Sequence, residues 1–246
     1  MEKEEGPVSP STDETLDAFF NGELRVIQKK EAYRFSIDAI LLSEFVALRP
    51  RERVIDLGTG CGILPLLLSK KSETATFVGV EIQKSLVECA VKNVHLNRLQ
   101  ERITILQDDF RKLRDTLPPA SFDVVISNPP YRKAHSGRVN PSFSKAMARH
   151  EIHATLDDLT SLASYLLPNK GRCYLIYPAS RLVDLLVSLR REKLEPKRLQ
   201  SVHPFWGEKA VFVVVESIKS SGAELTLMPP RILHPGGRDG KDRNTF

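Results

Sequence analysis

The chain contains no apolar run approaching the roughly 18 residues that a membrane-spanning helix needs, and its start, Met1-Glu2-Lys3-Glu4-Glu5, does not read as a signal peptide. Together these absences point to a cytoplasmic protein with no membrane partner. Cysteine is also scarce: Cys61, Cys89 and Cys173 form no Cys-x-x-Cys pair. That spacing argues against a zinc site and against a disulfide framework, and it fits free thiols in a reducing compartment. No metal is expected. There is no internal repeat and no low-complexity block, so solenoid architectures are excluded. What remains is a 246-residue chain, 41% hydrophobic and 27% charged, long enough for one large α/β domain with a substantial core.

Acidic residues are missing from one stretch in particular. Between Arg132 and His150 stand Arg132, Lys133, Arg138, Lys145 and Arg149, without a single Asp or Glu. The net charge of +5 permits a polyanionic partner without requiring one. The acid-free stretch, with His150 at its end, is the better candidate for phosphate contact, although His150 also reads as an ordinary surface histidine. A second basic group, Arg190, Arg191, Lys193, Lys197 and Arg198, is diluted by Glu192 and Glu195 and reads as a solvated helix end.

The pattern of apolar residues predicts the following elements. Residues 1–18 are polar, with Pro7 and Pro10, and read as a frayed or disordered segment. Residues 19–31 alternate weakly and suit a small hairpin. Ser36 to Leu48 reads as a helix with Ser36 as N-cap, ended by Pro50, so that 19–50 caps the domain that follows. A strand–helix alternation then runs through Arg53–Leu57, Ile63–Ser69, Thr76–Glu81, Gln83–Leu96, Ile103–Leu106, Phe122–Ile126, Leu156–Leu167, Arg172–Tyr177 and Arg181–Leu194. Two more strands, Arg198–His203 and Ala210–Ile218, lie close enough to pair antiparallel. Seven strands, the first five interleaved with helices, predict a doubly wound α/β sheet with a terminal antiparallel hairpin, one domain over 19–235 and a disordered tail over 236–246.

Two motifs carry chemistry. The first strand runs into Asp56-Leu57-Gly58-Thr59-Gly60-Cys61-Gly62, where glycines at alternate positions let the backbone take left-handed angles and lie against a ligand. A dinucleotide-binding turn would need a further glycine at position 63, which is Ile63, and the Gly-Lys-Ser/Thr of a P-loop is absent. Glu81 closes the second strand, 19 positions after Gly62, where a carboxylate can accept both hydroxyl hydrogens of a ribose. Asp109 closes the third strand, with Asp108 as its rival. The second motif, Asn128-Pro129-Pro130-Tyr131, follows Val124-Val125-Ile126. It places a side-chain carbonyl, a backbone carbonyl and a flat ring at the carboxyl edge of the sheet, where open α/β sheets bind ligands. Those groups suit a planar nitrogen such as the exocyclic amine of a base. Tyr131 would stack on it, an interaction worth about 1–3 kcal/mol.

The glycine pattern resembles motif I of class I S-adenosylmethionine-dependent methyltransferases, and the Asn-Pro-Pro-Tyr run resembles the substrate motif of the amino-methyltransferases among them. The ordered set Phe35–Leu42, Asp56–Gly62, Asn128–Tyr131, Ala148–Glu151 and Tyr174–Pro178 is similar to a bacterial family of tRNA adenine-N6 methyltransferases, over roughly residues 19–235. This resemblance implies a Rossmann-like class I methyltransferase fold and S-adenosylmethionine as cofactor. It implies that Asp56, Gly58, Gly60, Gly62, Glu81, Asp109 and Asn128 hold that cofactor and that Phe35 and Asp38 close over it. Catalysis would then rest on Asn128, Pro129, Pro130 and Tyr131. Arg132, Lys133, Arg138, Lys145, Arg149 and His150 would contact RNA, with tRNA as the partner. The Pro-Cys pair of cytosine-C5 methylation is absent.

The motif itself fixes a planar amine or amide and leaves its owner open. A protein glutamine N5, a ribosomal RNA guanine N2 and a non-catalytic cofactor-binding RNA module all stand beside adenine N6. About 50 residues precede the first strand of the alternation, short for the extra helical domain of the glutamine enzymes. That length and the acid-free segment both favour a nucleobase.

Overall fold

A computed structural model describes residues 9–30, 37–129 and 154–235. Nine of its strands form one mixed sheet, and two form a separate hairpin. The hairpin comprises β1 (Glu14–Phe19) and β2 (Leu24–Lys29), antiparallel with Glu14 opposite Lys29. Then follow α1 (Ile37–Phe45), β3 (Arg53–Leu57), α2 (Ile63–Ser69), β4 (Thr76–Glu81), α3 (Lys84–Leu96), β5 (Ile103–Gln107) and β6 (Val124–Ser127). After residue 153 come α4 (Leu156–Leu166), β7 (Arg172–Pro178), α5 (Leu182–Arg191), β8 (Leu194–His203), β9 (Phe212–Lys219) and the two-residue strands β10 (Thr226–Leu227) and β11 (Arg231–Ile232). Among the described residues no helix is long and apolar enough to cross a membrane.

The sheet runs β10-β8-β9-β7-β6-β3-β4-β5, with β11 also paired to β8. Strands β3 to β7 are mutually parallel; β3, β4, β6 and β7 are largely buried on both faces, which is why they read as short continuous apolar runs, while β5 is the half-exposed edge strand. Val54, Val124 and Ile126 join one core with α1, α2 and α3, while Ile55, Leu57 and Val125 join the other with α4 and α5. The doubly wound sheet and its antiparallel β8–β9 hairpin are thus as expected. The strands β10 and β11 are additional, too short to leave a periodic signal.

Besides shifts of one to three residues at other ends, among them α5, which stops at Arg191 rather than Leu194, three boundaries differ for a visible reason. The hairpin begins at Glu14, inside the segment expected to be frayed. Glu14 is buried, and burial alone would raise its pKa. The Ser11 backbone N–H, Lys29 and Lys92 reverse that and hold the carboxyl down at about 2. An acid that reads as tail therefore sits in a built ion cluster. Helix α1 stops at Phe45, well before Pro50, because the Lys71 ammonium donates to the carbonyls of Ser43 (2.8 Å), Glu44 (2.9 Å) and Val46 (2.8 Å). Those are the orphan carbonyls of a helix end. The expected cap Ser36 lies outside the described residues. Strand β8 starts at Leu194 rather than Arg198, its first half disguised by Pro196 and by a bulge between Pro196 and Arg198.

The second basic group is largely taken up by ion pairs: Arg190 with Glu195 (3.2 Å), Arg191 with Asp157 (3.0 Å) and Arg198 with Glu216 (3.1 Å).

The hairpin is docked on α3 and the residue just after it: Asn97 accepts from Arg25 N–H at 3.0 Å and donates to Arg25 O at 2.7 Å, the buried Cys89 thiol donates to Ile27 O at 3.1 Å, and the buried Asn93 makes the most bonds. Asn93 on α3 accepts from Ile27 N–H at 2.6 Å and donates from Nδ2 to the carbonyls of Ile27 and Cys61, each at 2.9 Å. It mimics a strand edge toward β2 while gripping the turn that follows β3. Asn93→Ala leaves those buried backbone groups without this partner. It should cost about 2–4 kcal/mol of unfolding free energy in urea titration. A loss under 0.5 kcal/mol would mean that the hairpin is held by other contacts.

Candidate active site at the carboxyl edge of the sheet

Strand β3 delivers Asp56 and Leu57 to the carboxyl edge, and the chain then turns through Gly58, Gly60 and Gly62 at φ +81°, +58° and +83°. The turn is pinned from beneath. Gly58 N–H and Thr59 N–H both donate to the Val80 carbonyl at 2.9 Å, and Gly62 N–H donates to Thr59 O at 3.0 Å. All three angles are left-handed, but the glycines differ in what surrounds them. A Cβ on Gly58 or Gly60 would meet nothing within 4 Å, so both face open space that a ligand can fill. A Cβ on Gly62 would come 3.3 Å from Ala90 Cβ, so that glycine serves the packing of α3. The sequence reading missed a further requirement, Gly79 on β4. A Cβ there would lie 2.9 Å from the Thr59 side chain, so Gly79 makes room for the turn. Asn93 was missed as well, since an amide at a helical position gives no motif signal.

Two carboxylates stand beneath this turn. Asp56 is 1% exposed, and neither of its oxygens has a hydrogen-bond partner among the described residues. Burial pushes its carboxyl up to about 7, and the negative charge of Glu81 adds to that. The Thr59 hydroxyl lies close enough to moderate the effect but outside hydrogen-bond geometry. A buried acceptor left unpaired costs free energy, so the site favours a ligand with N–H donors. Glu81 is buried too, and burial raises its pKa. Its Oε2 accepts from Gly60 N–H at 3.0 Å and its Oε1 from Gln83 N–H at 2.9 Å. The strand-end acid therefore stitches β4 to the glycine turn and keeps further lone pairs on each oxygen.

Asp109 caps a short 3₁₀ turn, Phe110–Asp115, and pairs with Arg111: Oδ1 accepts from Arg111 N–H at 3.0 Å and Oδ2 from its guanidinium at 2.6 Å. The Arg111 hydrogen bonds hold the Asp109 carboxyl below its usual range. The rival Asp108 accepts from Asp109 N–H at 2.7 Å. Asp38 lies in the first turn of α1, buried, with Oδ1 accepting from Ala39 N–H at 3.0 Å. Phe35 lies outside the described residues.

Beside β3 runs β6, paired parallel with Ile126 opposite Asp56. Asn128 and Pro129 follow immediately, both half-buried. The join is fastened by Ser127, fully buried, whose hydroxyl donates to Leu57 O at 2.6 Å. Leu57 is the residue before Gly58, so this one bond ties the last residue of β6 to the start of the glycine turn, 70 positions away. Pro130, Tyr131, Arg132, Lys133, Arg138, Lys145, Arg149 and His150 lie outside the described residues.

The groups brought together are an orphaned buried carboxylate, a second acid braced on the turn, open space over two glycines and an Asn-Pro step one strand away. An amino-acid ammonium and a ribose fit the first three. The donor-rich end of such a ligand would satisfy Asp56.

The chain is similar to several known proteins. The model of the methyltransferase small domain family matches residues 36–159. The chain is 33% identical over 192 residues to the tRNA1(Val) (adenine(37)-N6)-methyltransferase of Porphyromonas gingivalis strain W83, covering 76% of this chain and 74% of that protein. It is 30% identical over 186 residues to the protein of the same name from Tolumonas auensis, covering 72% and 76%. Among solved structures it superposes on Atu636 of Agrobacterium tumefaciens, described as a predicted O-methyltransferase. That match has a TM-score of 0.67 at 25% identity, over 82% of this chain and 90% of that one.

The raised pKa of Asp56 has a measurable consequence. With a folded value of about 7 against 3.8 unfolded, the fold binds a proton more tightly than the unfolded chain across that window. The unliganded protein should therefore lose stability from this group as pH rises from about 4 to about 7, on the order of 2–4 kcal/mol. The stability of Asp56→Asn relative to wild type, read by denaturant titration, should increase over the same range. A difference that does not vary with pH would refute the orphaned-carboxylate description.

Proposed function

The chain belongs to the methyltransferase small domain family and is a methyltransferase with S-adenosylmethionine as its cofactor. From that premise we propose that the acceptor is the exocyclic N6 amine of an adenine in tRNA. The observation that carries the reading is the fastening of β6 to β3, which sets the Asn128-Pro129 step beside the glycine turn. The similarity to tRNA adenine-N6 methyltransferases over about three-quarters of the chain supports the same acceptor.

Asp56 would hold the ammonium end of the cofactor, Gly58 and Gly60 would let it approach the backbone, and Glu81 would accept from its ribose. When bound, S-adenosylmethionine supplies an electrophilic methyl group on a sulfonium. The residues of the chain act on the other partner. The lone pair of an adenine amine is delocalised into the ring, so the nitrogen is a poor nucleophile until it pyramidalises. The Asn128 side-chain oxygen and the Pro129 carbonyl accept its two hydrogens. They favour the pyramidal form and relieve positive charge as it develops on nitrogen. Pro129 and Pro130 lack donors and have fixed φ, which keeps this acceptor pair stiff. Tyr131 would stack on the base, and the cations from Arg132 to Arg149 would meet phosphates. An anticodon loop presents such a base already unpaired. A cytoplasmic location goes with this substrate.

The purified protein should transfer labelled methyl to unmodified tRNA, yielding N6-methyladenosine by nucleoside mass spectrometry. Asn128→Ala should lower kcat by about 10²–10³-fold. Label entering a release-factor protein and no RNA would overturn the adenine reading in favour of glutamine.

A further inference from the structure

The carboxyl edge of the sheet holds one feature that the proposed chemistry leaves unused. Strand β9 is antiparallel to both β7 and β8, so β8 ends at the edge where β6 and β7 end. Phe212 at the start of β9 lies opposite Pro178 and Val202, which fixes the 204–211 loop on that edge. Trp206 stands at its tip, 67% exposed.

The loop is braced on both sides. The His203 ring and Glu208 O are 2.6 Å apart, and Val211 N–H donates to Val202 O at 2.8 Å. His234 N–H donates to Pro204 O at 2.9 Å, and the Phe205 and His234 rings lie 5.1 Å apart at 35°. Gly207, at φ +77°, makes the turn beyond the tryptophan. A large aromatic held in water on a loop this well tied is pre-organised for a flat partner, with little ordering left to lose on binding.

Its surroundings suit a nucleic acid. Ala179 N–H donates to Val211 O at 3.0 Å, joining the loop to the turn that carries Arg181. Arg181 lies over the Tyr177 ring at 5.1 Å, with its Nε 3.2 Å from Asp184. Lys209 is exposed, and His203 and His234 flank the loop; the nearby acids are Glu208 and Asp184. The loop joins β9 and β8, which lie two and three strand spacings from β6, about 10–14 Å. That is beyond a single nucleoside and within reach of a neighbouring part of an RNA loop.

We propose that Trp206 is a stacking platform for an unpaired base of the RNA substrate, a few nucleotides from the base that reaches Asn128. The proposal rests on the RNA reading above and adds to it a second point of recognition. Stacking is tolerant of sequence, so the platform holds the RNA in place and leaves the choice of base to the site.

Trp206 is the only tryptophan in the chain, so intrinsic fluorescence reports on this residue alone. Titrating the full chain with unmodified tRNA should quench that emission saturably, with a midpoint matching the Kd from filter binding. S-adenosylhomocysteine alone should leave it unchanged. Trp206→Ala should raise KM for tRNA about 5- to 100-fold while kcat at saturation and affinity for S-adenosylhomocysteine stay near wild type. Trp206→Phe should recover most of the loss. If tRNA is bound and methylated while the emission and the Trp206→Ala KM stay unchanged, the platform is refuted and the RNA reading stands. If tRNA is neither bound nor methylated, the RNA reading falls and takes the platform with it. Emission that tracks protein concentration, with a dimer in sedimentation, assigns the surface to self-association and overturns the proposal.

Discussion

The parallel pairing of β3 with β6 is the constraint on which the rest of the molecule depends. Each strand ends in a motif that does little alone. Side by side, with Ile126 opposite Asp56 and the Ser127 hydroxyl on Leu57 O, they place a ligand-accepting turn next to a pair of stiff carbonyl acceptors. The two strands are separated in sequence by α2, β4, α3 and β5, and the doubly wound order sets them side by side. Both cores serve this arrangement. Val54 and Ile126 are buried on one face, Ile55 and Val125 on the other, and the register of the two strands is fixed from above and below.

The electrostatics of the site follow from the same burial. Asp56 falls on the core face of β3, in step with Val54, so its carboxylate is desolvated without a partner. Glu81 comes from the neighbouring strand and is satisfied by backbone N–H groups of the turn and of Gln83. One acid is thus stored unpaired and the other is used to hold the turn in shape. This is a local inconsistency of the kind that proteins keep at functional sites, where a polar group is buried at a cost recovered on binding.

Strands β3 and β4 and helix α2 were legible in the sequence to the residue, because a doubly buried strand and a helix bounded by glycine leave strong local patterns. The glycine turn and its acids were legible for the same reason. What escaped depended on partners distant in sequence. Glu14 reads as a solvated acid until Lys29 and Lys92 are seen around it. Helix α1 reads on to Leu48 until Lys71 is seen to take its last carbonyls. Asn93 and Gly79 serve the site only through the turn they grip or make room for. Asp109, which the resemblance assigns to the cofactor, also pairs with Arg111 two positions on, a local contact rather than a distant one. Side-chain choice between near neighbours is invisible to spacing.

If the glycine turn and the Asn-Pro step form one continuous site, a bisubstrate ligand should span both: an adenosine whose N6 is tethered at the sulfur position of a homocysteine-adenosine analogue. In calorimetry this ligand should bind the wild-type protein at least tenfold more tightly than S-adenosylhomocysteine. Asn128→Ala should remove that gain and largely spare S-adenosylhomocysteine affinity. Equal affinities for the two ligands in the wild type, or a gain that survives Asn128→Ala, would contradict a continuous site.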